Sequence, residues 1–338
     1  MKNFAKKYIL PNASAILNIP LWIKLTGQKI IHVFYHTVSD EYLPHINPLY
    51  KPKTAKEFKN DMDCLLKYFA PIGINDVLKQ VTKEKQIEKP SFHISFDDGL
   101  SEVRRIIAPI LYQKGIPATV FINSGFVDNN ALFYRHKAAV LIDKMNSSDI
   151  SPAKNCQVET ILNVAKIKGN NLKERLLHID YSQKTILNDI ASVLDVDFDV
   201  FLKNQRPYLT VEELKELQHK GFTIGAHGID HPNFTLLNED EQIRQTEDSI
   251  QFVQQHLQEK NRYFAFPFSD LNVSPAFFAY LNSLVDISFG SSVINTEQDS
   301  KHIQRIELEA TKLSVKKRIK YCYLINFITK KQNRLRLH

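Results

Sequence analysis

Short apolar segments, each four to six residues long, recur along the chain between turn or polar residues. They are rich in β-branched and aromatic side chains, which is typical of strands that are covered on both faces. The predicted strands are residues 30–35, 92–96, 118–123, 223–226, 263–266 and 286–289.

Helical patterns lie between these predicted strands. Residues 55–68 have apolar side chains at helical spacing, and residues 238–260 predict a long helix with a polar face. Thr210 and Glu213 form the Thr-x-x-Glu pattern of a capping box, and Ser274 precedes a proline at a helix start. Because strands and helices alternate, we expect an α/β fold with a parallel sheet.

The middle of the chain breaks this alternation. From about residue 132 to residue 205 the pattern is helical throughout, which predicts a helical insertion between two strands. We therefore expect an N-terminal segment over residues 1–29, a domain over residues 30–311 that contains the insertion, and a basic C-terminal helix or tail over residues 312–338.

The composition is that of a folded globular protein. With 338 residues, of which 43% are apolar and 24% charged, the chain can bury a large core, and global disorder is excluded. The three cysteines are far apart and form no Cys-x-x-Cys pair, so they indicate neither a disulfide framework nor a zinc knuckle. They favour a reducing compartment.

The net charge of +7 comes from the C-terminal tail, because nine basic and no acidic residues follow Glu309. Such a tail binds an anionic membrane surface or nucleic acid, or stays solvated. No segment reaches the roughly 18–20 apolar residues of a membrane span. No convincing cleavage site follows the N-terminal lysines. We expect a cytoplasmic protein whose basic tail is a candidate for peripheral membrane contact.

Two adjacent carboxylates, Asp97 and Asp98, follow the predicted strand 92–96 and precede Gly99. Like charges at this distance raise one pKa unless a cation or hydrogen-bond donors compensate them. A metal ion is one solution. The alternative is that Asp98 and Gly99 form a turn while Asp97 caps the next helix.

His227 and His231 follow the predicted strand 223–226. Imidazoles suit zinc and related divalent ions, although surface histidines are the commoner explanation of such a pair. Together with Asp98 they would supply three protein ligands. A catalytic metal site needs such an incomplete set, since water and substrate take the open positions.

Four segments together resemble the polysaccharide deacetylase family, also called the NodB-homology or carbohydrate esterase 4 group. Residues 95–99 are similar to its Thr/Ser-Phe-Asp-Asp-Gly motif. Residues 227–232 are similar to its His-Ser/Thr-x-x-x-His-Pro motif, with one residue fewer between the histidines and glycine in place of the hydroxyl residue. Residues 34–38 resemble the Tyr-His-x-Val first strand, and residues 114–121 the Lys-Gly-x-Pro-Ala-Thr-x-Phe segment.

The resemblance implies a distorted (β/α)7-type barrel, NodB-like, with the site at the carboxyl ends of the strands. Asp97 would be the general base that activates water. Asp98, His227 and His231 would hold one divalent metal, with zinc preferred over cobalt or nickel. The implied partner is an N-acetylated glycan or a lipid-linked sugar.

The chain departs from the family pattern in the third motif, where an arginine usually stands two residues before a proline. Here Ala265 holds that place before Pro267, and Pro267 and Phe268 are candidate substrate-binding residues. Arg305 resembles the arginine of the last strand's Arg-Ile segment. It either orients the catalytic carboxylate or forms a structural ion pair.

The family's proton donor, a histidine of the last motif, has no clean match. His36, at the end of the first predicted strand, and His302, near the last segment, are the candidates for this catalytic role. The alternative for each is a structural histidine.

Other signals are absent from the sequence. There is no Gly-x-Gly-x-x-Gly, Walker loop or Gly-x-Ser-x-Gly elbow, and no aromatic platform that indicates nucleic-acid binding. Three functions stay open. They are a deacetylase of N-acetyl or O-acetyl groups in a surface polysaccharide or lipid-linked glycan, a deformylase or other amide hydrolase on the same scaffold, and an inactive carbohydrate-binding or scaffold protein.

Overall fold

The computed structural model describes residues 17–147, 149–291, 301–311 and 313–336, with side chains of the last helix as far as residue 328. Residues 1–16 of the predicted N-terminal segment and the end of the predicted tail lie outside this range. The strands in the described part are β1 (Ile30–Tyr35), β2 (Ala70–Pro71), β3 (Ser91–Phe96), β4 (Ala118–Ile122), β5 (Thr223–Ala226), β6 (Tyr263–Ala265), β7 (Ile287–Gly290), β8 (His302–Gln304) and β9 (Ile306–Glu307).

The strands form a nearly closed parallel barrel, which confirms the predicted fold class. The order is β8-β7-β6-β5-β4-β3-β1-β9, with β2 added beside β3. The two ends of the sheet meet through β8 and β9, which are separated in the chain by Arg305 alone. Because β8 pairs with β7 and β9 pairs with β1, this segment nearly closes the barrel. The sequence predicted β1 and the five strands from β3 to β7 within one residue at each end. It missed β2, β8 and β9, because two or three residues carry no detectable periodicity.

Helices cover the outside of the barrel and fill the long connections. They are α1 (Ile19–Thr26), α2 (Ala55–Leu66), α3 (Ile74–Val81), α4 (Ala108–Gln113, preceded by a π-helical turn), α5 (Tyr134–Ser147), α6 (Pro152–Val164), α7 (Leu172–His178), α8 (Ile186–Val193), α9 (Phe198–Gln205), α10 (Val211–His219), α11 (Glu239–Leu257), α12 (Pro275–Leu284) and α13 (Val315–Arg336). The predicted capping box is present, because Thr210 and Glu213 bond each other's backbone at the start of α10.

The helices α5 to α9 fall between β4 and β5 and have a hydrophobic core of their own. Buried leucines such as Leu141, Leu162 and Leu187 form this core together with Leu43 and Ile46 from the loop after β1. The loop after β1 therefore joins the helical region to the end of the barrel at which the strands finish.

The last helix packs on the barrel instead of projecting from it. Ile319 and Tyr323 of α13 are buried in the main core, and the Tyr323 hydroxyl donates to the Gln28 carbonyl at 3.1 Å. The Phe327 ring meets the Trp22 ring of α1 edge-on. Within the described part of the chain, none of the helices has the length and apolar character needed to span a bilayer.

Gly225 in β5 has no room for a side chain. A Cβ there would lie 2.5 Å from Phe121, inside the barrel. Gly225→Ala should therefore lower the free energy of unfolding by about 1–3 kcal/mol through overpacking, measured by urea denaturation. The matched control is Gly73→Ala, whose Cβ would meet nothing nearer than Pro117 at 3.7 Å. Equal stability of the two variants would contradict this packing.

Candidate active site

β3 ends in a turn that brings two carboxylates to the carboxyl end of the barrel. The backbone NH of Asp97 still donates to the Tyr35 carbonyl at 3.0 Å, so strand pairing reaches this residue. Asp98 and Gly99 follow with φ of +70° and +64°, in the left-handed region. The turn expected for Asp98 and Gly99 is therefore present, and both aspartates line one pocket. Asp97 does not cap the next helix, because its carboxylate is bound elsewhere.

Asp98, His227 and His231 converge at this turn. Asp98 Oδ1 lies 3.2 Å from His231 Nε2 and 3.6 Å from His227 Nε2. All three side chains are buried, and one potential ligand atom of each lies within 4.8 Å of the others. Ligands about 2.0–2.2 Å from a tetrahedral ion lie about 3.4 Å from each other, so the observed separations match that geometry.

The hydrogen bonding of these groups also fits a cation. Asp98 Oδ1 is buried and accepts no well-formed hydrogen bond from the described residues. His227 Nδ1 donates to the Ala265 carbonyl at 2.8 Å, which leaves Nε2 unprotonated toward Asp98. Burial lowers the pKa of His227 to about 4, so the ring is neutral and able to ligate. The residues therefore fit a divalent metal ion, as the sequence predicted for these three.

Arg305 holds Asp97 from the opposite side. Its guanidinium donates to both carboxylate oxygens, at 2.7 and 2.8 Å, and also to the Ser95 hydroxyl at 3.0 Å. The guanidinium is fully buried and lies over the Phe34 ring. Burial raises the pKa of Asp97, but the charge and hydrogen bonds of Arg305 together with the nearby rings of His227 and His36 outweigh it, so the pKa ends below its usual value. Of the two alternatives for Arg305, the geometry supports orientation of the carboxylate.

His36 lines the same pocket. Its Nδ1 lies 2.9 Å from Glu309 Oε2, and Glu309 also accepts from the backbone NH groups of His36 and Thr37. Burial lowers the pKa of His36, but the hydrogen bond and the charge of Glu309, with the charges of Asp98 and Asp97, outweigh it and raise the pKa to about 10. His36 is therefore a protonated imidazolium at neutral pH.

His302, the other histidine considered as proton donor, is placed differently. Its ring is buried between the Ser288 hydroxyl at 2.7 Å and the Asp270 carboxylate at 3.1 Å. It is not among the residues that line the pocket. This arrangement is structural, so of the two candidates only His36 lines the pocket.

The two candidate substrate-binding residues after β6 occupy different positions. Phe268, with φ of +55°, lines the pocket, and its ring centre lies 4.6 Å from that of His231. Pro267 does not line the pocket and lies against Gly228. The structure thus brings Phe268 to the triad, whereas Pro267 supports the loop that carries the histidines.

A hydrogen-bonded brace holds the loop between the two histidines. Asp230 accepts bonds from the Tyr181 hydroxyl at 2.8 Å, from the Lys184 ammonium group and from Gln245 Nε2 at 2.7 Å. Gln245 Oε1 in turn accepts from the backbone NH of Ile229 at 2.8 Å. The helical region and α11 therefore fix the backbone that carries His231. No motif in the sequence marks this brace.

The start of the helical region, at and just before α5, contributes further residues to the pocket. Phe133, Arg135 and His136 line it together with the triad, and the Phe133 ring centre lies 4.5 Å from that of His231. The cavity has a volume of about 580 Å³, within the range of small-molecule sites. No local motif marks these residues, since they reach the site only through packing of the helical region.

Solved structures share this fold. The Streptococcus pyogenes deacetylase PplD in complex with acetate is 12% identical, with a TM-score of 0.57 over 87% of this chain and 97% of that one. IcaB from Ammonifex degensii is 16% identical, with a TM-score of 0.55 and the same coverage. BC0361, a polysaccharide deacetylase from Bacillus cereus, is 12% identical, with a TM-score of 0.52 over 87% of this chain and 69% of that one. At such identities the likeness establishes the fold alone.

The family assignment rests on the sequence match. Among curated proteins, none matches this chain significantly. The polysaccharide deacetylase family model matches residues 84–163 and 170–280, more than half of the chain and a range that includes both aspartates and both histidines of the pocket. The chain belongs to the polysaccharide deacetylase family.

Proposed function

We propose that this protein hydrolyses the N-acetyl or O-acetyl group of a sugar in a surface polysaccharide or lipid-linked glycan, with one divalent metal held by Asp98, His227 and His231. Zinc is the first metal to test, followed by cobalt and nickel. The observation that carries the proposal is an ionised Asp97, fixed by Arg305, directly beside three converging metal-ligand atoms.

Each residue of the pocket has a separate task in this reaction. A divalent ion in the triad would supply a Lewis acid that polarises the acyl carbonyl and acidifies water. Asp97 accepts the proton of the attacking water, for which it must be ionised at neutral pH, as its lowered pKa indicates. The two bonds from Arg305 fix the plane of that carboxylate.

His36 would donate the proton that the leaving amine or alcohol requires. It lines the pocket with Asp97 and carries a proton at neutral pH because Glu309 stabilises the charged ring. Asp97 and His36 thus have their pKa values moved in opposite directions, which separates the base from the acid. Deformylation would use the same groups, so the acyl group is decided by experiment. The third alternative, an inactive binding or scaffold protein, would not need an intact metal triad beside Asp97 and Arg305.

Metal binding should depend on the triad. Purified protein should contain about one divalent ion per chain, and His227→Ala should lose most of it because one of three protein ligands is gone. Elemental analysis measures both. His219→Ala, an exposed histidine of α10, is the matched control and should retain the ion. A wild-type protein that stays metal-free after reconstitution with zinc, cobalt or nickel would remove the metal from the proposal.

Acetate release tests the reaction itself. Metal-loaded wild type should release acetate from N-acetylated oligosaccharides, and Asp97→Asn should lower kcat by about 10²–10⁴-fold because the amide cannot accept the proton. An enzymatic acetate assay measures this, and metal analysis of the variant confirms that its site is still filled. Formate released from matched N-formyl sugars, without acetate from the N-acetyl ones, would identify a deformylase instead.

The role of His36 has a pH signature. In the wild type its proton is retained up to about pH 10. Glu309→Gln removes the carboxylate that raises this pKa, and burial then lowers it, so the ring loses its proton at lower pH. The alkaline limb of kcat should therefore move to lower pH, measured by acetate release across pH. The control is Glu88→Gln on the surface. An unmoved alkaline limb would assign the proton to another group.

A further inference from the structure

Two arginines line the pocket from helices outside the barrel. Arg135 comes from α5 and Arg318 from α13. Neither guanidinium forms an ion pair within the part of the chain that the structure describes. By contrast, Arg104 and Arg244 on the surface each pair with two carboxylates. The two pocket arginines therefore carry charge that these described residues do not compensate.

Each arginine is held by neighbours that carry no charge, and Arg135 also has a side-chain hydrogen bond with Tyr134. Arg318 donates through Nε to the Glu307 carbonyl at 3.3 Å, and its guanidinium lies 6.0 Å from the Tyr321 ring centre. Arg135 lies 6.0 Å from the ring centre of Phe268, which itself contacts His231. Aromatic faces orient guanidinium planes without consuming their donors. Both guanidinium groups therefore keep donors for a ligand in the pocket.

The carboxylates of the pocket do not balance this charge. Asp97 is paired with Arg305, and Asp98 is the proposed metal ligand. Glu307 is the remaining acidic residue of the lining, and its Oε1 accepts from the Ala310 NH at 2.8 Å. Among the described residues of the lining, two guanidinium groups and a divalent ion held by the triad would therefore face one carboxylate, which favours anions.

This excess of positive charge restricts the substrate. A neutral sugar would cover guanidinium groups without supplying acceptors of equal strength, which is unfavourable. Carboxylate and phosphate match the guanidinium fork with two parallel bonds. Given the deacetylase function proposed above, we propose that the substrate carries an acidic group, a uronate carboxylate or a phosphate, near its acetylated sugar, and that Arg135 and Arg318 bind it.

Binding decides this proposal independently of turnover. Wild-type protein stripped of its metal, in which Asp97 still compensates Arg305, is titrated calorimetrically with chitotetraose and with a tetrasaccharide of alternating N-acetylglucosamine and glucuronate. A second pair is N-acetylglucosamine and its 6-phosphate. At least one acidic ligand should bind about tenfold or more tightly than its neutral partner, and salt should weaken the preference. A preference within the tetrasaccharide pair identifies a carboxylate as the acidic group, and a preference for the 6-phosphate identifies a phosphate.

Variants connect the preference to the two arginines. In the same metal-free form, Arg135→Gln and Arg318→Gln should each reduce the acidic-to-neutral affinity ratio by about tenfold, because a charge-assisted bond is lost. Arg135→Lys keeps the charge but loses the two parallel donors, so its acidic-to-neutral affinity ratio should lie between that of the unsubstituted protein and that of Arg135→Gln. Arg206→Gln, at the exposed end of α9, is the matched control and should leave the ratio unchanged.

The outcomes separate this inference from the proposed function. Equal affinity for acidic and neutral ligands, or an acidic preference that survives both glutamine variants, overturns the role of the arginines whether or not the wild type releases acetate. Acetate release from chitotetraose with no acidic preference leaves the deacetylase intact and removes the anionic substrate. An arginine-dependent preference without acetate or formate release supports the anion site and overturns the proposed reaction.

Discussion

The ion pair between Arg305 and Asp97 is the interaction on which the rest of the site depends. Arg305 stands between β8 and β9, where one segment nearly closes the barrel, and its side chain is completely buried. Removing one partner of a buried pair costs about 3–5 kcal/mol, because the other charge is left without compensation. Barrel closure and orientation of the base are therefore coupled: the strand segment cannot dock without bringing the guanidinium to Asp97.

Three residues near the ion pair have an uncommon backbone conformation. Asp98, His231 and Phe268 each follow a strand and each has a positive φ. Such conformations cost about 1–3 kcal/mol per residue and persist where the surroundings determine them. Here the surroundings include the Asp230 brace, which ties the histidine loop to the helical region. That region therefore supports the site's geometry in addition to lining the pocket.

The arginine that the third motif lacks has a spatial substitute. Ala265 occupies the motif position, and its carbonyl accepts from His227. The guanidinium comes instead from Arg305, some forty residues later in the chain. Both positions lie at the carboxyl ends of barrel strands, so either can reach the carboxylate after β3. The function of the arginine therefore requires that its side chain reach the carboxylate, and residues at more than one position in the sequence can meet this requirement.

The sequence by itself determined the alternation of strands and helices, the turn after Asp98 and the residues at strand ends that converge as Asp98, His227 and His231. These follow from local patterns, since side-chain periodicity and turn chemistry act over a few residues. Only the tertiary structure decided that Arg305 binds Asp97, that Glu309 charges His36, and that Arg135 and Arg318 enter the pocket. These contacts join segments far apart in the chain, and their partners are fixed by barrel closure and helix packing, for which a single sequence has no local signal.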